Sequence, residues 1–335
     1  MKNLIDHISI SNFKSIRNLK LDGLSRINLF IGKPNVGKSN ILEAFGVFSL
    51  PYLKYNSSKK LTNFIRADYL NELFFDGNTE NQILIKNNLG EFGLSYKFEK
   101  DDTDTITSVG TKLKIQNVNT IASIGKDLIV TFLGNDIDKN PFKYYNFKTN
   151  QKPKRNNLSN LLPPAGTNLM EIVENIPALK KDLIQLFNEY NLNLVFDRAS
   201  QELKVMKEQK EKEIFLIPYS SIADTLQRVI FYKTAIASNQ NSVLIFEEPE
   251  AHAFPPYIVH ITREIIEAKS NQFIISTHSP YILDYFLENA MEELSIFMVD
   301  YKNGETVANK LSKEDMEDIK QYGIDLFTNY ETFLK

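Results

Sequence analysis

The residues with the clearest chemical signature form the octapeptide GKPNVGKS, which runs from Gly32 to Ser39. It matches the pattern G-x-x-x-x-G-K-[ST] in full, with the apolar segment INLFI before it and an amphipathic segment after it. In such a loop the backbone N–H groups face phosphate oxygens, the lysine brings positive charge to the β- and γ-phosphates, and the hydroxyl binds Mg²⁺. The octapeptide therefore predicts a phosphate-binding loop, with Lys38 as a catalytic cation and Ser39 as a metal ligand.

A second group of reactive side chains follows the apolar segment VLIF at residues 243–246. Glu247 and Glu248 come directly after this predicted strand, and Glu250 follows a proline. A nucleotide in a phosphate-binding loop requires Mg²⁺, which an acid at the end of a neighbouring strand helps to hold. We therefore predict that Glu247 contacts the metal and that Glu248, which points the other way, orients or deprotonates the attacking water. Glu250 is interpreted as a loop charge with no assigned role.

A third segment, FIISTHSP, places His278 just after the predicted strand 272–276. An imidazole at a strand end beside the other two motifs can contact a γ-phosphate and position water. His278 is therefore predicted to be catalytic, together with Lys38 and Glu248.

The composition limits the other classes of function. The 335 residues carry a net charge of −3 and no cysteine, so disulfides, thiolate metal sites and cysteine nucleophiles are excluded. The N-terminal segment lacks a signal-peptide core, and no apolar run is long enough to span a membrane, which predicts a cytoplasmic protein without membrane contact. The basic and aromatic segment 143–157 leaves nucleic-acid binding open, although a solvated loop is the favoured interpretation.

The order of predicted elements indicates how these motifs are positioned. Strand, glycine-containing loop and helix come first, then short β segments between residues 80 and 135, and then a segment interpreted as loop at 136–167. Helices and strands alternate again from Ser221 to the C-terminus, which predicts an α/β fold. We expect an N-terminal ATPase lobe with a β-rich insertion at 1–135, a helical and hairpin insertion at 136–215, and a C-terminal ATPase lobe at 216–335.

These motifs resemble those of the ABC-type ATPase heads of the SMC and RecF group. The similarity extends to the ATPase domains of OLD-family nucleases and to small ATPases of bacterial defence systems, and it covers nearly the whole chain. It implies a P-loop fold of ABC/SMC-head type with an inserted antiparallel β lobe and a helical lobe, with ATP and Mg²⁺ as cofactors. It also assigns the phosphate-binding motif, Walker A, to Gly32, Asn35, Gly37, Lys38, Ser39 and Asn40.

The same resemblance assigns Glu247 and Glu248 to Walker B and His278 to the switch histidine. It implies a homodimer or higher oligomer in which a signature segment of one protomer covers the γ-phosphate bound by the other. That segment is SSIADTLQR, in which alanine or aspartate replaces the usual glycine. Its candidate contacts are Ser221, Thr225, Gln227 and Arg228. An aspartate facing a γ-phosphate would be repulsive unless it is turned away.

Two further departures from the family pattern affect the expected function. Glu247 stands where the family has aspartate, so its contact with Mg²⁺ is expected to run through a water. The chain also lacks the Toprim nuclease domain of OLD-family nucleases, so we expect any nuclease-type effector to be a separate protein.

Three hypotheses remain open at this point. The first is an ATPase that dimerises on ATP and controls such an effector in anti-phage defence. The second is a scaffold or sensor that binds ATP and hydrolyses it slowly or not at all. The third is a RecF-like DNA repair ATPase, which would need a basic surface for duplex DNA. A transporter subunit fits least, because the motif spacing differs and the signature glycine is missing.

Overall fold

The computed structural model describes residues 4–96, 108–116, 118–133, 140–208, 214–253 and 255–334. No helix within these ranges is long and apolar enough to cross a membrane. The chain forms two compact units. The first comprises Met1–Tyr144, Asn241–Glu248 and Asn271–Lys335, and the second comprises Tyr145–Gln240 and Pro249–Ser270. The predicted three-part division of the chain stays a prediction.

The described residues form sixteen strands and seven α-helices. The strands are β1 (His7–Phe13), β2 (Ile16–Asp22), β3 (Ile27–Ile31), β4 (Ile83–Asn87), β5 (Gly90–Tyr96), β6 (Ser108–Ile115), β7 (Val118–Gly125), β8 (Val130–Phe132), β9 (Phe142–Tyr145), β10 (Asn193–Asp197), β11 (Glu202–Glu208), β12 (Ile214–Pro218), β13 (Val243–Glu247), β14 (Gln272–Ser276), β15 (Leu294–Lys302) and β16 (Glu305–Lys310). The helices are α1 (Lys38–Gly46), α2 (Leu169–Asn175), α3 (Pro177–Asn188), α4 (Asp224–Ala237), α5 (Pro255–Glu267), α6 (Pro280–Asn289) and α7 (Lys313–Tyr322).

The central sheet of the first unit has the strand order β16-β15-β3-β14-β13-β9. Strands β3, β13, β14 and β15 run parallel, and every residue of β3 and β14 is buried. Continuous apolar strands are typical of parallel sheets that are covered on both faces. Because parallel strands end at the same sheet edge, this order brings together the segments that follow β3, β13 and β14. The predicted α/β fold is confirmed.

A second, antiparallel sheet in the same unit has the order β2-β1-β4-β5-β6-β7-β8. The predicted β-rich insertion therefore continues the N-terminal hairpin, because β4 pairs directly with β1. The alternation of apolar and polar residues within the insertion indicated strands, but it carried no information about the strand that they would join. Residues 97–107, which include parts of two predicted strands, lie outside the described residues.

The interpretation of residues 136–167 as loop was wrong for one part of that segment. Strand β9 lies within it and forms an edge of the central sheet, and all four of its side chains are buried. Lys143, Tyr144 and Tyr145 are therefore core residues and are not available to grip a nucleic acid. The polar composition around β9 concealed this short aromatic strand.

The second unit contains α2 to α5 and an antiparallel sheet of the order β10-β11-β12. Helix α2 ends at Asn175, and α3 begins with Pro177. Proline is well tolerated at the first position of a helix, where its missing N–H would have no partner within the helix. Helix α4 carries the signature-like segment and packs with α5 inside this unit.

Candidate nucleotide-binding site

The octapeptide connects β3 to α1, with Gly37 at the N-cap of the helix. Asn35 and Gly37 have φ values of 63° and 98°, in the left-handed region that lets the loop turn back on itself. A Cβ on Gly32 would lie 2.3 Å from the carbonyl oxygen of Val299. The glycines of the motif are thus required by the packing of the loop as well as by its conformation.

We expect Gly37→Ala to weaken nucleotide binding by about tenfold or more. The added Cβ would lie 2.0 Å from Thr306 Oγ1 at a φ of 98°, so the loop must shift and its backbone is strained. Calorimetric titration with ATP measures this loss. Gly323→Ala is the matched control, because Gly323 has a φ of 61° but no atom within 4 Å of an added Cβ. Equal affinities of the two variants would contradict the expectation.

Lys38 lies folded along the loop that it follows. Its Nζ donates hydrogen bonds to the carbonyl oxygens of Gly32 and Lys33, each at 2.8 Å. Burial lowers the pKa of Lys38, whereas the nearby carboxylates of Glu248 and Glu247 raise it. The ammonium is therefore held by the loop carbonyls and feels the charge of the two acids at the end of β13.

Ser39 and Glu247, which are both predicted to hold the metal, are in direct contact. The Ser39 hydroxyl, in the first turn of α1, donates to Oε1 of Glu247 at the end of β13. Two further groups hold the same carboxylate: Arg66 Nη2 lies 2.5 Å from Oε1, and the hydroxyl of Tyr144 donates to Oε2 at 3.0 Å. Glu247 thus connects α1, β13, β9 and the loop that contains Arg66.

Arg66 belongs to a charged network that sequence reasoning missed. Its Nε donates to Oε1 of Glu43 at 2.9 Å, and Lys14 Nζ lies 2.5 Å from the other oxygen of Glu43. Glu43 lies in α1 and is 1% exposed. Although burial lowers the pKa of Arg66, Glu247 and Glu43 raise it by more, so the pKa lies above its usual value. A permanent positive charge therefore lies against the predicted metal carboxylate.

Glu248 and His278 face each other at the ends of the parallel strands β13 and β14. Oε1 of Glu248 lies 3.4 Å from Nε2 of His278, and both side chains are about two-fifths exposed. The backbone of Glu248 has a φ of 42°, and its N–H donates to the carbonyl of Ser276 at 3.0 Å. Burial and then the charge of Lys38 lower the pKa of His278, and Glu248 opposes this shift. The pair is thus accessible to solvent beside Lys38.

Asn40, predicted to contact nucleotide, is held beside the loop by hydrogen bonds among hydroxyl groups. Its Nδ2 donates to Ser15 Oγ at 2.6 Å, and Ser15 Oγ lies 2.6 Å from Thr306 Oγ1. Thr306 in turn donates to the carbonyl of Val36 at 2.9 Å. Three distant segments therefore fix the loop, and a nucleotide contact by Asn40 stays a prediction.

The four candidate signature residues lie in the second unit. Ser221 is exposed, whereas the hydroxyl of Thr225 donates to the carbonyl of His252 at 2.9 Å. Gln227 is 3% exposed and its amide donates to Ile222 O at 2.8 Å, so this side chain is engaged within its own unit. It is not on an exposed helix face, because α4 turns it toward the segment that precedes the helix. The roles of the four residues toward a partner stay predictions.

The aspartate of this segment forms an ion pair within its own helix. Asp224 Oδ2 accepts a hydrogen bond from Arg228 Nε at 2.8 Å, one helical turn along α4. The guanidinium of Arg228 also lies 4.8 Å from the ring centroid of Phe147. Asp224 is thus paired with a cation of its own segment, and its effect on a partner's γ-phosphate stays a prediction.

Glu250 differs from its interpretation as a solvated loop charge. It lies in the turn after β13 but is only 9% exposed.

The donor set at the end of β13 fits Mg²⁺. Ser39 Oγ and Glu247 Oε1 converge on one point, and hydroxyl and carboxylate oxygens are the ligands that Mg²⁺ prefers. Mg²⁺ usually keeps several waters and needs only one or two protein ligands beside nucleotide phosphates. Within the described ranges, no group of three or more histidines and acids could form a separate metal cage.

Comparison with known proteins agrees with this geometry. Residues 27–284, well over half of the chain, match the family described as "AAA domain, putative AbiEii toxin, Type IV TA system". This range contains the phosphate-binding loop, both acids after β13 and His278.

Three curated relatives share parts of the sequence. An uncharacterized protein of Methanocaldococcus jannaschii is 31% identical over 37% of this chain and 55% of its own length. An ATP/GTP phosphatase of Helicobacter pylori is 42% identical over 18% of this chain, and the DNA replication and repair protein RecF of Lactobacillus acidophilus is 36% identical over 17%. Each of the latter two matches spans only 15% of the relative.

Solved structures of SMC heads share the fold along almost the whole chain. An SMC head bound to the C-terminal winged-helix domain of ScpA has a TM-score of 0.53 at 16% identity, covering 93% of this chain and 99% of that one. The SMC head of Pyrococcus furiosus with an extended coiled coil, bound to the C-terminal domain of ScpA, has a TM-score of 0.52 at 14% identity, covering 95% and 98%. The chain therefore belongs to the AAA-domain family of the AbiEii type and has the P-loop fold of SMC heads.

Proposed function

We propose that the protein hydrolyses ATP to ADP and phosphate with Mg²⁺. The observation that carries this proposal is the convergence of Lys38, Ser39, Glu247, Glu248 and His278 at one edge of the central sheet. They come from three separate segments of the chain, and the contacts among them join the loop and α1 to the ends of β13 and β14. The match to the AAA-domain family supports the same conclusion.

In phosphoryl transfer the protein acts mainly by positioning the reactants and stabilising charge, and it forms few covalent bonds itself. Lys38 and the N-terminal amides of α1 bind the phosphate oxygens. Ser39 and Glu247 would hold Mg²⁺, which would supply positive charge to the phosphates of the nucleotide. A carboxylate oxygen of Glu248 accepts the proton of the attacking water, and His278 orients that water from the other side. Arg66 keeps the Glu247 carboxylate in place.

The direct test compares two lysines of the same loop. Lys38→Ala should weaken ATP binding about tenfold or more and remove measurable phosphate release, because the loop loses its phosphate-binding charge. Lys33→Ala should stay within about twofold of wild type, because the Lys33 side chain points outward to Glu331 at 3.0 Å. Calorimetric titration and a phosphate-release assay provide both readouts. Wild-type protein that neither binds nor hydrolyses ATP would overturn the proposal.

We further propose that ATP drives dimerisation of these heads and that the dimer controls a separate effector in antiviral defence. The family description names a toxin–antitoxin system, and the related SMC heads bind a domain of ScpA, which supports a partner for this chain. Light scattering with and without ATP and Mg²⁺ should report a doubling of mass with nucleotide. A mass that is unaffected by ATP would rule out this form of control.

One specific observation favours slow turnover as the second candidate function. The signature-like segment lacks the glycine, and its Asp224 and Gln227 are engaged within their own unit. A scaffold that holds ATP would show the mass change in light scattering but release less than one phosphate per chain over the same period.

A further inference from the structure

Glu247 poses a positioning problem that an aspartate would not. Its side chain has one more rotatable bond than aspartate, so holding its carboxylate in a single orientation costs more conformational entropy. The Glu247 side chain is 14% exposed, and its carboxylate lies beside a hydroxyl, a guanidinium and a phenol. These three groups bind the two carboxylate oxygens separately. Ser39 and Arg66 contact Oε1, and Tyr144 contacts Oε2.

Tyr144 is held firmly enough to act as a fixed donor. The side chain is 2% exposed, and its ring lies against Gly46, where an added Cβ would be 3.3 Å from Cδ2. The backbone N–H of Tyr144 donates to Ser49 Oγ at 2.9 Å, and the ring of Phe64 is 6.3 Å away between centroids. Packing therefore sets the position of the phenol oxygen independently of Glu247.

We propose that Tyr144 is a positioning residue that holds Oε2 of Glu247 so that Oε1 faces Ser39 and the metal. In this role it compensates for the extra methylene of Glu247, because the phenol on β9 fixes the longer side chain from the neighbouring strand. The assignment rests on the proposed ATPase function. Groups that orient a metal ligand through hydrogen bonds commonly affect metal affinity by 10- to 100-fold.

The test is the Mg²⁺ dependence of ATP binding to the full chain. A fluorescent ATP analogue is titrated at increasing Mg²⁺, and the half-saturating Mg²⁺ concentration is the readout. We expect Tyr144→Phe to raise this concentration about tenfold. The rate of phosphate release at saturating Mg²⁺ should stay within about threefold of wild type, because Tyr144 does not contact the reacting atoms.

Tyr52→Phe is the matched control for the loss of a buried phenol. Tyr52 is 7% exposed in the same unit, and its hydroxyl donates to the carbonyl of Asn140 at 3.1 Å, away from Glu247. Its Mg²⁺ dependence should equal that of wild type. An equal increase in both variants would overturn the positioning role, because a general loss of packing would then explain the effect.

A double-mutant cycle isolates the connection to Glu247. In a Glu247→Gln background, Tyr144→Phe should change the Mg²⁺ dependence by less than about twofold, since the carboxylate that it orients is already gone. A tenfold effect in both backgrounds, or none in the wild-type background, would overturn the positioning role alone. If ATP binding to the wild-type protein does not depend on Mg²⁺, both the proposed ATPase function and this role are overturned.

Discussion

Replacing Glu248 with glutamine should slow ATP hydrolysis by about 100- to 1,000-fold while ATP binding stays near that of wild type. General-base catalysis typically contributes factors of this size, and glutamine keeps the shape of the side chain without its basicity. Glu248 is the acid that lies 3.4 Å from His278, and the metal-side contacts with Ser39 and Arg66 belong to Glu247. The variant should therefore keep its metal site and lose the group that activates water.

Single-turnover phosphate release measures this effect separately from nucleotide binding. Glu331→Gln is a suitable control, because it removes one acid near the loop at a side chain that is 84% exposed and paired only with Lys33 in the ion pairs described. We also expect Glu248→Gln to accumulate as an ATP-bound dimer, because the state that precedes hydrolysis persists. If Glu248→Gln and wild type hydrolyse ATP at equal rates, Glu248 is not the catalytic base.

The parts of the site that sequence reasoning located are those in which local residues determine the geometry. The octapeptide, VLIFEE and STHSP each follow a buried strand, and parallel strands end at a common edge, so the convergence of Ser39, Glu247 and His278 follows from the fold class. The structure places these three motifs at the ends of β3, β13 and β14, as the α/β pattern predicts.

The groups that sequence reasoning missed lie in segments that carry no recognisable motif. Arg66 follows an irregular segment with no motif, and 181 positions separate it from Glu247. Tyr144 lies 103 positions from Glu247, in a strand of four residues within a polar segment. The buried run FKYY, bounded by a proline and an asparagine, was a usable signal for a strand. Nothing in the residue pattern indicated which strand it would join, since pairing depends on tertiary packing.

Glu43 illustrates a third limit, because a glutamate in an amphipathic helix usually faces solvent. Here its carboxylate is buried between two cations, Lys14 after β1 and Arg66 after α1. Helical periodicity indicates which face of α1 is apolar but gives no account of a buried charge that is paired across 29 and 23 positions. The network can therefore be recognised only from the folded structure, in which the N-terminal hairpin packs against α1.

Neutralising that carboxylate with Glu43→Gln should reduce the free energy of unfolding by about 3 kcal/mol. Breaking a buried ion pair commonly costs about 3–5 kcal/mol, because the remaining charges lose their counter-ion. We take the lower end of that range, since the Arg66 side chain is 61% exposed and solvent screens part of its charge. The melting temperature should fall by about 4 °C, which differential scanning calorimetry measures.

The control for Glu43→Gln is an exposed ion pair of the same unit. Glu91 lies 3.1 Å from Lys86, with both side chains about half exposed, so Glu91→Gln should cost less than about 1 kcal/mol.

Glu43→Gln has a second consequence, since Arg66 loses the partner that fixes its Nε and is free to move away from Glu247. The Mg²⁺ dependence of ATP binding should therefore change in Glu43→Gln and not in Glu91→Gln. Similar melting temperatures for the two variants would mean that the buried network contributes little to stability, and Glu43 would then be neither a stabilising nor a positioning residue.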